Sequence, residues 1–183
     1  MESPSHVSLR RAFYPCCADD IEEPRRLLAG LVEEIIYCDI RRPRGFRHPK
    51  PTDGLLSVAF VQRNLNDYVD SLPLIHVLFY RRDSTGEGGS RLFILGKEWL
   101  PRILQHFPDE GGLIVTDGSN HGSGVFRKML RPRGYLRKTW GCQFWPSREQ
   151  PWLNTHGLHR IEMKRLVSPQ SQDRLLARLA AEC

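Results

Sequence analysis

The chain has 183 residues, 40% hydrophobic and 26% charged, the proportions of an ordinary soluble globular protein with one domain and a sizeable core. No apolar run approaches the roughly 20 residues of a membrane span. The start, MESPSHVSLRR, lacks a signal-type apolar segment, so a cytoplasmic location and no membrane partner are expected. The formal charge of +6 either favours an anionic partner or simply keeps the surface soluble.

The five cysteines, Cys16, Cys17, Cys38, Cys142 and Cys183, are odd in number and form no Cys-x-x-Cys pair. Free thiols are the expectation, because adjacent Cys16 and Cys17 cannot easily bond to each other.

In chain order, Leu9–Tyr14 reads as a first strand, ended by Pro15. Asp19 or Asp20 can cap a following helix, with Glu22 and Glu23 favourable to its dipole. Leu27, Leu28, Leu31 and Val32 recur at helical spacing and form its buried face. Glu34–Ile40 follows as a second strand, apolar enough in its middle to be buried on both faces. The stretch Arg41–Gly54, RRPRGFRHPKPTDG, is a basic, proline-rich loop. Leu55–Val61 is a third strand, Asn64–Leu72 a short helix or turn, and Leu74–Tyr80 the strongest strand signal. After the Gly-rich loop Arg81–Ser90, a helix is expected from about Ser90 to Phe107, with Gly96 and Pro101 interrupting it. Gly112–Thr116 is a fifth strand, followed by a helix around Val125–Leu130. Tyr135–Phe144 and Leu158–Leu166 read as two final strands, and Asp173–Ala181 as a closing helix.

Strands alternating with helices predict an α/β protein, a Rossmann-like three-layer sandwich whose sheet is mainly parallel. The last two strands lack a helix between them, which predicts antiparallel closing strands. The whole of residues 1–183 reads as one domain with its core in about 9–167.

Ligands of open α/β sheets bind beyond the carboxyl ends of the strands. The polar residues expected there are Cys16, Cys17, Asp19, Asp39, Arg81, Asp83, Ser84, Asp117, Asn120 and His121. Asp39 either accepts from the hydroxyls of a ribose or pairs with Arg41 or Arg42. Cys16 or Cys17 is either a nucleophile near a helix start or a structural thiol. The run Asp83-Ser84-Thr85-Gly86-Glu87-Gly88-Gly89 either wraps an anion with backbone N–H groups or is a flexible linker, and it lacks the ending of a Walker loop. Arg81, Ser84, Gly86 and Gly88 would be the anion-binding residues. His121, beside Asp117 and Asn120, is either a general base or a turn histidine with no chemical task. His156 and His159 lack further ligands at a recognisable spacing, so no metal is expected. Trp140, Phe144, Trp145 and Trp152 either stack bases near arginines or pack the closing strands.

Five strand–helix steps followed by two closing strands resemble the core of class I S-adenosylmethionine-dependent methyltransferases over most of Leu9–Val167. The resemblance implies that the turn Tyr14–Asp20 holds the cofactor, through Tyr14, Cys16, Cys17 and Asp19. It also implies that Asp39 binds the ribose and that Asp83, Asp117 or His121 orients a methyl acceptor. Where that family's turn is glycine-rich, this chain has Pro15-Cys16-Cys17-Ala18. The rival expectation is a non-catalytic module that keeps the fold and binds a nucleotide, a nucleic acid or a protein, with its basic loops available for nucleic acid.

Overall fold

The computed structural model describes residues 10–47, 56–81, 90–96, 98–117, 140–145 and 156–165. Among the described residues seven strands form one sheet: β1 (Arg11–Pro15), β2 (Glu34–Asp39), β3 (Ser57–Gln62), β4 (Val77–Tyr80), β5 (Gly112–Thr116), β6 (Trp140–Trp145) and β7 (His159–Arg165). Their order across the sheet is β3-β2-β1-β4-β5-β7-β6. The first five are parallel, in registers such as Tyr14↔Tyr37 and Tyr80↔Thr116. β7 runs antiparallel to β5 and β6 antiparallel to β7, as expected of the closing pair.

Burial follows position in the sheet. Successive side chains of a strand point to opposite faces. Ala12, Phe13, Tyr14 and Pro15 of β1 are all buried, as are Val77, Leu78, Phe79 and Tyr80 of β4. Both faces of the sheet centre are therefore covered. β3, at the sheet's end, is half-buried along its middle and exposed at Ser57 and Gln62. The aromatic rings of the centre interlock, with Tyr14 edge-on to Phe79 at 5.0 Å between centroids.

Three helical segments differ from the sequence expectation in instructive ways. α1 is short, Glu22–Leu27, and its N-cap position is Ile21 with no side-chain cap. The expected caps are used elsewhere: Asp19 accepts the backbone N–H of Arg44, and Asp20 binds Arg81. Of its expected buried face, Leu28 and Val32 are buried and Leu27 and Leu31 half-buried, Leu28 and the rest lying in the turn beyond the helix. α2 (Leu65–Tyr68) continues as a 3₁₀ turn, Val69–Ser71, and is capped by the Asn64 side chain on the Asn66 N–H.

The long helix expected from Ser90 is only α3, Trp99–Leu104. Arg91 and Phe93 take φ of 60° and 47°, which no right-handed helix contains. Pro101 lies in the first turn of α3, where its missing N–H costs nothing, so it starts the helix rather than breaking it. β4 begins at Val77 rather than Leu74, because Ile75 N–H bonds to the His106 carbonyl at the end of α3. Gly111, with φ of 102°, passes so close to the Met163 carbonyl that a Cβ would overlap it. The helices expected at Val125–Leu130 and Asp173–Ala181 lie outside the described residues. Among the described residues no helix is long and apolar enough to cross a membrane.

Candidate functional site at the carboxyl edge of the sheet

The order β3-β2-β1-β4-β5 reverses between β1 and β4, because the chain leaves β1 to one side for β2 and β3 and returns to the other side for β4 and β5. Such a reversal opens a crevice beyond the carboxyl ends of the strands. The turn after β1, the end of β2 and the residue after β4 meet at this place.

The turn after β1 takes a glycine-like path without glycine. Cys16 and Ala18 have φ of 55° and 48°. The left-handed region costs a residue with a Cβ about 1–2 kcal/mol, so neighbouring bonds must hold it. Cys16 N–H donates to the Cys38 carbonyl at 2.7 Å, and Asp20 N–H to the Cys17 carbonyl at 3.0 Å. Asp39 is the main staple. Its Oδ2 accepts the Ala18 N–H at 3.0 Å, and its Oδ1 accepts the Arg41 N–H at 3.0 Å. The acid at the end of β2 thus grips the turn after β1 and the start of the next loop at once. Its neighbour is the Arg41 backbone, not an arginine guanidinium. Asp19 ties the same loop from the other side, accepting the Arg44 N–H at 2.9 Å.

Beneath the turn, Cys17 and Cys38 are buried free thiols. Burial, with the Asp39 charge adding to it, pushes the Cys38 thiol up to about 12 and the Cys17 thiol higher still. Neither has the lowered value of a thiolate nucleophile, so the structural-thiol alternative fits Cys17. Cys16 is half-buried at the turn.

On the β4 side of the reversal lies an ion-pair cluster. Arg81, 3% exposed, donates from Nε to Asp20 Oδ2 at 2.7 Å and from Nη2 to Asp20 Oδ1 at 2.8 Å. Its Nη2 also meets Glu23 Oε2 at 2.5 Å. Burial pulls the guanidinium pKa down, but the hydrogen bonds it donates to Asp20 and Glu23 carry it above its ordinary value. The Tyr14 hydroxyl lies 2.9 Å from Asp20 Oδ2 and 3.1 Å from the Arg81 carbonyl. Glu23 continues the chain of contacts to His156, whose Nδ1 is 2.9 Å from Oε1. Burial and the Asp20 charge hold Tyr14 protonated, well above the usual phenol range.

Of the residues singled out from sequence, Tyr14, Cys16, Cys17, Asp19, Asp39 and Arg81 gather at this edge around one turn. Asp117 directly follows β5 on the same edge, half-buried. Asp83, Ser84, Gly86, Gly88 and His121 lie outside the described residues. Sequence reasoning missed Asp20, Glu23 and His156 as partners. The one available signal was an arginine placed directly after the most apolar strand, where a buried cation requires acids.

The strand order makes this a Rossmann-like α/β fold. No family model matches the sequence, and no curated protein matches it. Among solved structures, the chain is similar to one in a fibrillarin/Nop5p complex, with 13% identity over 86% of this chain and 73% of that one and a TM-score of 0.48. It is also similar to a candidate methyltransferase from Streptococcus mutans in complex with SAH, with 11% identity over 85% of this chain and 90% of that one and a TM-score of 0.48.

Proposed function

We propose that the carboxyl edge between β2, β1 and β4 binds a nucleoside cofactor, S-adenosylmethionine, for methyl transfer to an acceptor. The observation carrying this reading is the turn after β1. It adopts, with Cys16 and Ala18, the left-handed backbone that a glycine loop would supply, and it does so beside an acid at the end of β2. The missing glycines therefore leave the backbone path intact.

Asp39 keeps the capacity to hold a ribose. Each of its oxygens accepts one backbone N–H, and each carboxylate oxygen has a second lone pair for a hydroxyl. Asp117, at the end of β5, is suited to orient the acceptor, together with Asp83 and His121. The free thiols at Cys16, Cys17 and Cys38 fit a reducing compartment such as the cytoplasm.

One observation favours a second reading. At the reversal point the protein's own Asp20, Glu23 and Arg81 satisfy one another, leaving less unpaired polar surface for a ligand. A non-catalytic module that kept the fold and binds a partner through its basic loops would look like this. Isothermal titration with S-adenosylmethionine and with its demethylated product separates the two. Saturable heat with either ligand supports the cofactor reading. Silence at millimolar concentrations of both rejects it in favour of the binding module.

A further inference from the structure

Most described arginines that lie within the body of the fold are paired with acids. Arg11 meets Glu34, Arg25 meets Glu22, Arg81 meets Asp20 and Glu23, Arg102 meets Asp70, and Arg160 meets Glu162. The corner formed by the ends of β2 and β3 is different. Arg41, Arg42, Arg44, Arg47 and Arg63 are all exposed there, and none of their guanidinium groups is in an ion pair. The guanidinium groups of Arg10, Arg26 and Arg91 are in no ion pair either, but they belong to the residue before β1, to α1 and to the segment before α3.

Backbone bonds, with the Phe46 ring packed on Phe60, bring the segments that carry these arginines to one corner. Arg63 N–H donates to the Asp39 carbonyl, Gln62 Nε2 to the Ile40 carbonyl, and Arg44 N–H to Asp19. Among the described residues, Asp39 and Asp19 at this corner direct oxygens to backbone N–H groups rather than to guanidinium groups. Of the arginines, Arg42 lies over the Phe46 ring at 5.6 Å, and Phe46 packs on Phe60 at 5.2 Å between centroids.

We infer that this β2–β3 corner is a binding surface for single-stranded nucleic acid. Unpaired, exposed guanidinium groups track a phosphodiester chain at little desolvation cost and release its counterions. The exposed Arg42 guanidinium, held over the Phe46 ring, offers a plane on which an unpaired base can stack. A membrane fits the corner less well, because Ile40 is the one large apolar side chain exposed on it among the described residues, too little for interfacial insertion. A duplex major groove calls for a protruding helix or β-ribbon, and the corner is built from loops and strand ends. The surface adjoins the Asp39 turn and gives either reading of the site its partner, while depending on neither.

The test uses the full chain and a labelled 20-nucleotide RNA of mixed sequence, with anisotropy measured across a series of KCl concentrations. Wild type should bind with a steep salt dependence and prefer the single strand to the same sequence as a duplex. Replacing Arg41, Arg42, Arg44 and Arg63 together by Ala should weaken binding at least about 30-fold and lower the slope of log K against log salt by about 3, since each single-strand phosphate contact contributes about 0.7. The matching Lys variant should recover most of the affinity, and an Arg26→Ala, Arg91→Ala control should stay within about twofold, because the effect is local charge. Absence of salt-dependent binding by wild type overturns the inference. So does tighter binding to the duplex, equal loss in the control, or stronger retention on phosphatidylserine vesicles than on the RNA. S-adenosylmethionine titrations of the same variants keep this outcome separate from that of the cofactor reading.

Discussion

Arg63 and Arg81 each directly follow the carboxyl end of a parallel strand, β3 and β4, and from there their environments diverge. Arg81 stands between β1 and β5, beside the acidic start of α1, and is buried in a bidentate pair with Asp20. Arg63 stands at the sheet's end strand, exposed, with only its backbone N–H bonded back to β2. A guanidinium at the sheet centre loses water and must be given carboxylates, whereas one at the sheet's end keeps water and stays free for a partner. The same residue type is therefore a structural clamp at one corner and a solvated cation at the other. The turn after β1, stapled by Asp39, separates the two.

The largest test of this contrast is to remove each arginine in turn. Arg81→Ala leaves Asp20 and Glu23 without their cation and should cost about 3–5 kcal/mol. Arg63→Ala should stay within about 0.5 kcal/mol. Urea denaturation measures both, and equal costs would erase the distinction between the two corners.

Asp39→Ala comes next, because it breaks two charge-assisted bonds to backbone N–H groups. A loss of about 2–3 kcal/mol is expected, with Asp39→Asn recovering part of it. A simple solvent-facing strand-end acid would cost much less. If Asp39 also holds a ribose, Asp39→Asn should weaken nucleoside binding in calorimetry by more than its stability loss explains.

The thiols under the turn give a pH signature. The folded value of Cys38 is raised to about 12, and that of Cys17 is raised further, so the native state holds these protons longer than the unfolded chain. Their contribution is whole below the unfolded value and is lost as pH rises above about 9, by up to about 1.4 kcal/mol per unit for each thiol. Urea midpoints at pH 8 and pH 10 measure the fall, and Cys38→Ala should flatten it. An unchanged slope would mean that the thiol is open to water.

One small expected effect has the opposite sign. Ala18→Gly removes the left-handed penalty but adds entropy to the unfolded chain, a net gain of about 0.5–1 kcal/mol. A loss instead of a gain would show that the turn relaxes in solution to a path that a Cβ tolerates.

Much of the architecture was legible in the sequence because it is written in local pattern. The apolar runs AFY, IIYC and VLFY are too continuous for one-sided strands, and they form the buried centre of the sheet. The lack of a helical pattern in the sequence between the last two strands foretold their antiparallel pairing. Helix lengths were overread, because the left-handed residues Arg91 and Phe93 carry no glycine to announce them. At the site, the sequence placed Asp39 and the β1 turn in the correct relation, since the distance along a strand–helix–strand unit is fixed by its geometry. That Asp39 staples the Ala18 and Arg41 backbones, that Asp20 abandons a helix cap for Arg81, and that Arg63 meets no acid were decided by strand order. Those pairings join residues far apart in the chain, and only the packed sheet determines which charge is stripped of water and which is left in it.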